Sequence, residues 1–288
     1  MPAITVVRNE RLFYKDFYML INVLKTVAIS QFHSLERKIQ TYEELVDTVE
    51  RFFYLLDLNA VVHPFVRPPP DAPLGIVAVT SDRGLLGGLN HRVMTAAFGH
   101  MNDTRNQLTI VGQQGKNYVH GLDVAFKGFL SGDDDQRYHL ALQIREHIID
   151  EVLGRRMGAV KIIYPFATSM QVQKVMEVDL LPCTSWPRKD RGDWAGGLTE
   201  EILLESDPRD LVEYLVYLSM GQKIYEILQF SRLAEFAART IHLEESSEKI
   251  KGIDKKLQLK YFRARHEIID QQMRELFSAR ILYADEVA

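Results

Sequence analysis

The glycine-rich stretch Ser81–Asn90 is the segment whose residue types and position best fit ligand chemistry. It follows an apolar, β-branched run, Leu74–Thr80, and precedes a helical pattern, which is where phosphate-binding loops lie in α/β folds. It matches neither G-x-G-x-x-G nor G-x-x-x-x-G-K-[ST], and no Lys, Ser or Thr follows its last glycine. A structural turn, in which glycines let a strand and a helix approach, is therefore favoured over a ligand site.

Four weaker candidates for chemistry lie elsewhere. Gly112–Lys116 lacks the length of a nucleotide-binding loop, and Asp133–Asp135 is better explained as solvated carboxylates at a helix start than as metal ligands. His266 begins an H-E-x-x-H pattern, but its fifth position is Asp270, which excludes that zinc site. Cys183 has no activating cation beside it and is predicted to be inert. We therefore expect no catalytic residue, no metal and no cofactor in this chain.

Composition and charge exclude several classes of protein. The 288 residues are 46% apolar and 26% charged with a net charge of −4, so bulk charge does not indicate nucleic-acid binding. One cysteine excludes an internal disulfide. The longest uncharged stretch, Ile162–Gln173, is far shorter than the roughly twenty residues of a spanning helix. Any membrane role is expected to come through a partner.

Glycine and proline divide the chain into three parts. Fifteen of the seventeen glycines lie between Gly75 and Gly197, and no proline follows Pro208. Both ends are thus predicted to be long helices, the first over residues 5–57. Apolar residues there repeat every 3.5 residues, which is the spacing of a coiled-coil seam. The seam residues are Ala28, Phe32, Leu35, Ile39, Tyr42, Val46, Val49, Phe53 and Leu56.

The last third supplies the partner helix. Ser206–Pro208 fits a helix start, with proline in the first turn. The predicted apolar face comprises Leu211, Leu215, Leu218, Ile224, Leu228, Ala234, Ala237, Ala238 and Ile241. Residues 249–265 hold seven Lys or Arg against Asp254 alone. Because aromatic residues are sparse there, a solvated face or a protein partner is favoured over nucleic acid.

The middle of the chain alternates predicted strands with the helices Leu89–His100 and Arg137–Leu153. The predicted strands are Leu74–Thr80, Leu108–Val111, Val124–Phe126, Val160–Tyr164, Val172–Leu181 and Leu198–Leu204. The fold class is α/β: a long antiparallel coiled coil of the terminal helices with a central, Rossmann-like, mostly parallel domain. The predicted divisions are a helix in 1–60, a linker in 61–73, the α/β domain in 74–206 and a helix in 207–288.

The stretch Thr80–Asn90 closely resembles T-S-D-R-G-L-C-G-G-L-N, the signature of the γ subunit of F-type ATP synthases, with Leu86 in place of the cysteine. The signature residues present are Ser81, Asp82, Arg83, Gly84, Gly87, Gly88 and Asn90. Further stretches resemble that family in the same order. They are Lys25–Ser30, Ile110–Lys116, Ile162–Pro182, Glu205–Pro208 and Leu259–His266.

The resemblance implies a central rotor shaft without catalytic activity of its own. In that family the paired helices enter an α3β3 hexamer, while the α/β domain lies against the ε subunit and the membrane c-ring. Ion flow turns the ring and the shaft, which drives the β sites through their states. The implied location is the cytoplasmic face of a bacterial inner membrane, with an organelle matrix as the alternative. The coupling ion and the main direction of the reaction stay open.

The resemblance also assigns contacts with the hexamer to Leu24, Lys25, Arg263, Arg265 and His266. Arg265 matches an arginine that reaches a loop on β, and His266 stands where the family has Gln. Leu24 stands where the family usually has Met.

The first helix departs further from the family pattern. Asp16–Leu20 replaces the polar N-T-Q-K-I, and Gln31 replaces a Lys. These departures indicate a divergent γ subunit, of the kind an alternative ATPase operon would encode.

Two other hypotheses stay open on the sequence. An α/β nucleotide-binding enzyme with helical dimerisation arms would bind its ligand at residues 84–90 and turn over alone. A coiled-coil adaptor or nucleic-acid binder would use residues 249–265 and bind polyanions in a salt-dependent way.

Overall fold

The computed structural model of the chain describes residues 2–39, 61–122, 124–132, 134–185 and 206–286. A long helix stands at each end of the described sequence, and strands alternate with shorter helices between them. The helices are α1 (Pro2–Ile39), α2 (Leu89–Gly99), α3 (Gln113–Val119), α4 (Arg137–Leu153) and α5 (Pro208–Glu286). The strands are β1 (Gly75–Val79), β2 (Gln107–Val111), β3 (Phe126–Phe129), β4 (Val160–Ala167) and β5 (Gln173–Leu181).

The described strands form one sheet in the order β3-β2-β1-β4-β5. The first four run parallel, with Ile76 of β1 opposite Leu108 and Lys161. β5 pairs antiparallel with β4 and forms an edge. Every residue of the central strand β1 is buried, which accounts for its continuous apolar sequence. This mostly parallel sheet between long terminal helices confirms the predicted fold class.

The two faces of the sheet bury alternate side chains of each strand. On one face Ile76 and Ile110 pack with α2 and α3. On the other face Val77 and Val79 pack with α4 and the first turns of α5. Helix α5 is therefore part of the core of the α/β domain where it begins.

Contacts divide the chain into two compact units, one of residues 28–239 and one of residues 1–27 with 240–288. Each long helix contributes to both units, so this division follows the contacts between helices and differs from the predicted domain bounds. Segment 61–73, which we predicted to be a linker, contributes Phe65 and Val66 to the core beside α4.

In the unit of residues 1–27 and 240–288, α1 and α5 run antiparallel. Arg11 binds Asp254 at 2.9 Å, and Lys25 pairs with Glu244 nearer the other end of α1. Between these ion pairs lies an apolar contact formed by Ile21, Leu243 and Ile250, with Tyr14 and Tyr18 packed against it. No helix in the described part of the chain is long and apolar enough to cross a membrane.

The predicted seam is confirmed at Ala28, Phe32 and Leu35, which are buried on α1, while Ile39 is half-buried. The rest of the seam lies outside the described residues. Those positions are Tyr42, Val46, Val49, Phe53 and Leu56. The predicted start of the last helix at Pro208 is confirmed.

Three predictions need correction or lie outside the described residues. Leu218, which we placed on the apolar face of α5, is exposed, because the face toward α4 is formed by Val212, Val216 and Met220. The strand predicted at Val124–Phe126 runs instead from Phe126 to Phe129, where it pairs with β2. The strand predicted at 198–204 lies outside the described residues.

Candidate functional site

The signature turn at residues 81–90 is held by its own side chains at the carboxyl end of β1. The side-chain amide of Asn90 donates to Ser81 Oγ at 2.8 Å, and its carbonyl oxygen accepts from the Ser81 backbone N–H at 3.1 Å. Ser81 Oγ in turn donates to the Arg83 carbonyl at 2.6 Å. Gly87 and Gly88 follow with φ of 55° and 88°, a left-handed region that suits glycine.

Asp82 fills the place that a ligand anion would take in a phosphate-binding loop. Its carboxylate accepts backbone N–H groups from Gln113 at 2.9 Å, Ser131 at 3.2 Å and Gly132 at 3.1 Å. These donors come from the start of α3 and from the loop after β3, at the edge of the sheet where α/β folds bind ligands. Since the donors are already paired, this crevice is closed by the chain itself.

Thr80 closes the neighbouring part of the same crevice. Its hydroxyl donates to the Val111 carbonyl at 2.7 Å and accepts from the Gly115 N–H at 2.9 Å. A Cβ at Gly112 would lie 2.2 Å from the Thr80 carbonyl oxygen, so that glycine is required by close approach. The glycines of Gly112–Lys116 therefore have a packing role, in agreement with the sequence, where this stretch lacks the length of a nucleotide-binding loop.

The far side of the signature turn contacts α5. Leu86 and Leu89 are buried against Ala234 and Ala238, whose small side chains let the turn approach the helix. On another side of α5, Phe32 and Leu35 of α1 pack against Phe236 and Ala237. That second contact lies within the unit of residues 28–239.

The third side of α5 is charged. Arg232 donates to Glu235 at 2.8 Å, and Glu235 is almost completely buried. Arg137, at the start of α4, is buried beside them, and its Nη2 lies 2.9 Å from a carboxylate oxygen of Asp134. Burial raises the pKa of the Glu235 carboxyl, although the neighbouring arginines oppose that shift.

These three contacts enclose five consecutive residues of α5, 234–238, each of which is at most 5% exposed. We call this stretch, with the side chains packed around it, the collar. A helix that packs on one side leaves its other faces in water. Burial on every face fixes a helix against rotation about its own axis, so the collar joins α5 rigidly to the α/β fold.

The sequence of this chain is similar to those of known proteins. The sequence model of the ATP synthase family matches residues 11–280. The ATP synthase gamma chain of Anaeromyxobacter sp. (strain Fw109-5) is 25% identical over 289 residues, covering 96% of this chain and 98% of that protein. The gamma chain of Halothermothrix orenii is 28% identical over 219 residues, covering 75% of each. The chain belongs to the ATP synthase gamma-chain family.

Solved structures agree with the fold of this γ chain. The rotor of the Euglena gracilis mitochondrial ATP synthase is similar with a TM-score of 0.66 and 17% identity, covering 93% of this chain and 99% of that one. A chain of the OSCP/F1/c-ring structure from the same organism gives a TM-score of 0.68 at 16% identity, covering 96% and 93%. A γ chain is a non-catalytic subunit of ATP synthase, and this one forms the central shaft.

The predicted hexamer contacts of the γ chain lie on α1 and α5 in the unit of residues 1–27 and 240–288. Leu24, Arg263, Arg265 and His266 are exposed, whereas Lys25 is half-buried and pairs with Glu244. The contacts with the hexamer stay a prediction.

Sequence reasoning missed an exposed apolar face on α1 of the γ chain. Its residues alternate steps of four and three, as the buried seam does, and each lies one position before a seam position. That spacing could have revealed them in the sequence. We call them the outer stripe: Phe13, Phe17, Leu20, Leu24 and Val27. The charged residues of the collar were missed as well, because no local motif joins Arg137 to Glu235.

Proposed function

We propose that this γ chain is a rotor shaft that couples ion flow through a membrane ring to ATP synthesis or hydrolysis in an α3β3 hexamer. The collar carries this proposal. Torque applied to the α/β domain reaches the hexamer only if α5 cannot slip against that domain. Five consecutive buried residues, held by leucines on one side and a charged cluster on another, provide that resistance.

The partners follow from the family. Related structures are described as a rotor and as an OSCP/F1/c-ring assembly. We infer that the α/β domain of this chain meets the c-ring and an ε subunit, and that α1 and α5 meet the hexamer. Support comes from the outer stripe, since a row of large exposed apolar side chains marks a site of contact with another protein.

Within the hexamer we propose contacts at Leu24, Lys25, Arg263, Arg265 and His266. Leu24 belongs to the outer stripe, and the three residues of α5 are exposed on a helix whose basic run favours acidic surfaces. Arg265 offers a charge-assisted hydrogen bond to a carboxylate on β.

We also propose that the chain binds no nucleotide. The backbone N–H groups that a phosphate would use at the sheet edge are bound by Asp82 and Thr80. For location, we propose the cytoplasmic face of a bacterial inner membrane, because relatives from bacteria align over nearly the whole chain.

Purification of the tagged chain from native membranes under mild conditions tests the function. Two larger ATPase subunits at three copies each per tagged chain, with ATPase activity in the same fraction, are expected. A chain recovered alone or as a homodimer that turns over a small molecule would support the enzyme hypothesis instead. Salt-sensitive recovery of nucleic acid would support the adaptor hypothesis.

A further inference from the structure

Positive charge exceeds negative charge in the cluster on the charged side of the collar. Arg137, Arg232 and Arg239 lie there with two carboxylates, Asp134 and Glu235, all connected by contacts of 4.0 Å or less. Three guanidinium groups against two carboxylates leave one positive charge over. Arg83 of the signature turn adds a further repulsion toward Arg239. All of these residues belong to the unit of residues 28–239.

Four nitrogens of these arginines donate no hydrogen bond within the described part of the chain. They are Nε and Nη2 of Arg137, Nε of Arg232 and Nη2 of Arg239. Asp134 approaches Arg137 Nη2 to 2.9 Å without hydrogen-bond geometry, and Arg239 Nη2 comes no nearer to Glu235 than 4.0 Å. The Arg137 side chain is 2% exposed, so its donors are shielded from bulk solvent. Buried donors of this kind call for an acceptor.

Electrostatics in the cluster favour the arrival of an anion. Burial, with repulsion from Arg232, lowers the pKa of Arg137, and burial lowers the pKa of Arg239. The charged forms of both residues are therefore under-stabilised as they stand. Planar guanidinium groups bind phosphate and carboxylate oxygens through paired, charge-assisted hydrogen bonds.

We infer that Arg137, Arg232 and Arg239 form a binding site for a tetrahedral oxyanion of the inorganic phosphate class. The cluster is accessible to solvent at Asp134, whose side chain is 62% exposed, and the side chains of Arg232 and Arg239 are 16% and 14% exposed. The oxyanion takes the place of the Asp134 carboxylate between Arg137 and Arg232. Asp134 therefore competes with the anion for the same arginine side chains. The bound anion links α4, through Arg137, to α5, through Arg232 and Arg239.

Hydrogen–deuterium exchange of the full chain tests this inference, with sodium phosphate compared with sodium chloride at equal ionic strength. Phosphate is expected to slow exchange saturably in peptides covering 134–145 and 228–240. In Arg239→Gln, the half-saturating phosphate concentration is expected to rise roughly tenfold or more, since one charge-assisted donor is lost. The matched control Arg105→Gln, at an exposed arginine paired with Asp103, should keep the native response.

Asp134→Asn is expected to change the half-saturating phosphate concentration in the opposite direction from Arg239→Gln. Removal of the competing carboxylate is expected to lower the half-saturating phosphate concentration and to speed exchange at the collar in chloride. Equal protection by phosphate and chloride in the native chain would overturn the inference, as would an unchanged phosphate response in both variants. The shaft function would be untouched by that result, because subunit recovery and ATPase activity are measured independently.

Discussion

A single carboxylate of the signature turn binds backbone donors from two neighbouring segments. Asp82 accepts three N–H groups, one from the start of α3 and two from the loop after β3. In nucleotide-binding folds similar donors, at the same edge of the sheet, bind phosphate oxygens. In this chain Asp82 accepts these donors instead, which supports a structural role for the turn. Its function is to support the leucines that face α5.

Asp82→Asn is expected to destabilise the chain by about 1–3 kcal/mol, because an amide has one acceptor oxygen and presents its own donors to at least one backbone N–H. Urea unfolding of the full chain measures the change. Asp103→Asn is the matched control, since Asp103 is exposed and pairs with Arg105, and a loss below about 1 kcal/mol is expected there. Equal losses in the two variants would contradict the role given to Asp82.

His147 is expected to make the fold less stable in mild acid. It lies on α4 with Nε2 3.4 Å from the Thr109 hydroxyl and its ring beside Phe129. Burial lowers its pKa below the ordinary 6.5, so the unfolded chain takes up this proton first as the pH falls. The contribution is constant above pH 6.5 and is lost as the pH drops from there through the folded pKa.

Urea unfolding at about pH 7.5 and about pH 5.5 measures this pH dependence. His147→Gln should reduce the difference in unfolding free energy between the two pH values, because the variant has no imidazole at this position to take up the proton. A larger difference in unfolding free energy between the two pH values in His147→Gln would show that protonation of His147 does not destabilise the fold.

At the scale of elements, the collar shows which helix contacts could be predicted from the sequence and which could not. A contact between two helices leaves a 3.5-residue period, so the seam at Ala28, Phe32 and Leu35 was predictable. The apolar pattern also predicted Ala234, Ala237 and Ala238, which are buried in the collar. A helix enclosed on three sides has no exposed face, so the spacing of apolar residues gave no indication that a charged residue, Glu235, is buried there as well. Glu235 does lie between the apolar residues Ala234 and Phe236, which was a visible signal. Its charged neighbour Arg137 lies about a hundred residues earlier, and only the fold brings the two together.

The contact of the signature turn with α5 predicts a difference between two adjacent leucines. Leu86→Ala is expected to cost about 2–4 kcal/mol in unfolding free energy, because Leu86 is buried against Ala234 and Ala238. Leu85→Ala is the control, since Leu85 is exposed, and a change within about 0.5 kcal/mol is expected.

The same pair of variants tests coupling in the assembled enzyme. At temperatures where the Leu86→Ala chain stays assembled, we expect fewer ions pumped per ATP hydrolysed, while hydrolysis itself persists. If the Leu86→Ala chain loses stability as predicted but still pumps as many ions per ATP as the native chain, the collar stabilises the fold without contributing to coupling.

At the scale of the whole molecule, the two units differ in what they expose. In the unit of residues 28–239 the apolar side chains of the inner strands β1, β2 and β4 are covered by helices of the same chain. In the other unit, large apolar side chains are exposed along both helices, including the outer stripe on α1 and Phe262, Ile269 and Met273 on α5. Such a surface indicates that this unit functions inside a partner.

Replacement of Phe13, Phe17 and Leu20 by glutamine tests that conclusion. These side chains are exposed and lie outside the apolar contact around Ile21, so the helix pair should keep its stability within about 1 kcal/mol. Assembly should suffer, because each large apolar side chain that a partner covers contributes roughly 1.5–3 kcal/mol. We expect recovery of hexamer subunits with the tagged chain to fall at least about tenfold.

The matched control changes Leu153 and Val172, which are exposed apolar residues of the other unit, to glutamine. This control variant should recover the hexamer as the native chain does, because the loss depends on where apolar surface is removed. Equal recovery by the outer-stripe variant would mean that the hexamer does not cover this face of α1. The polar residues Arg263, Arg265 and His266 on α5 would then have to supply the specific contacts.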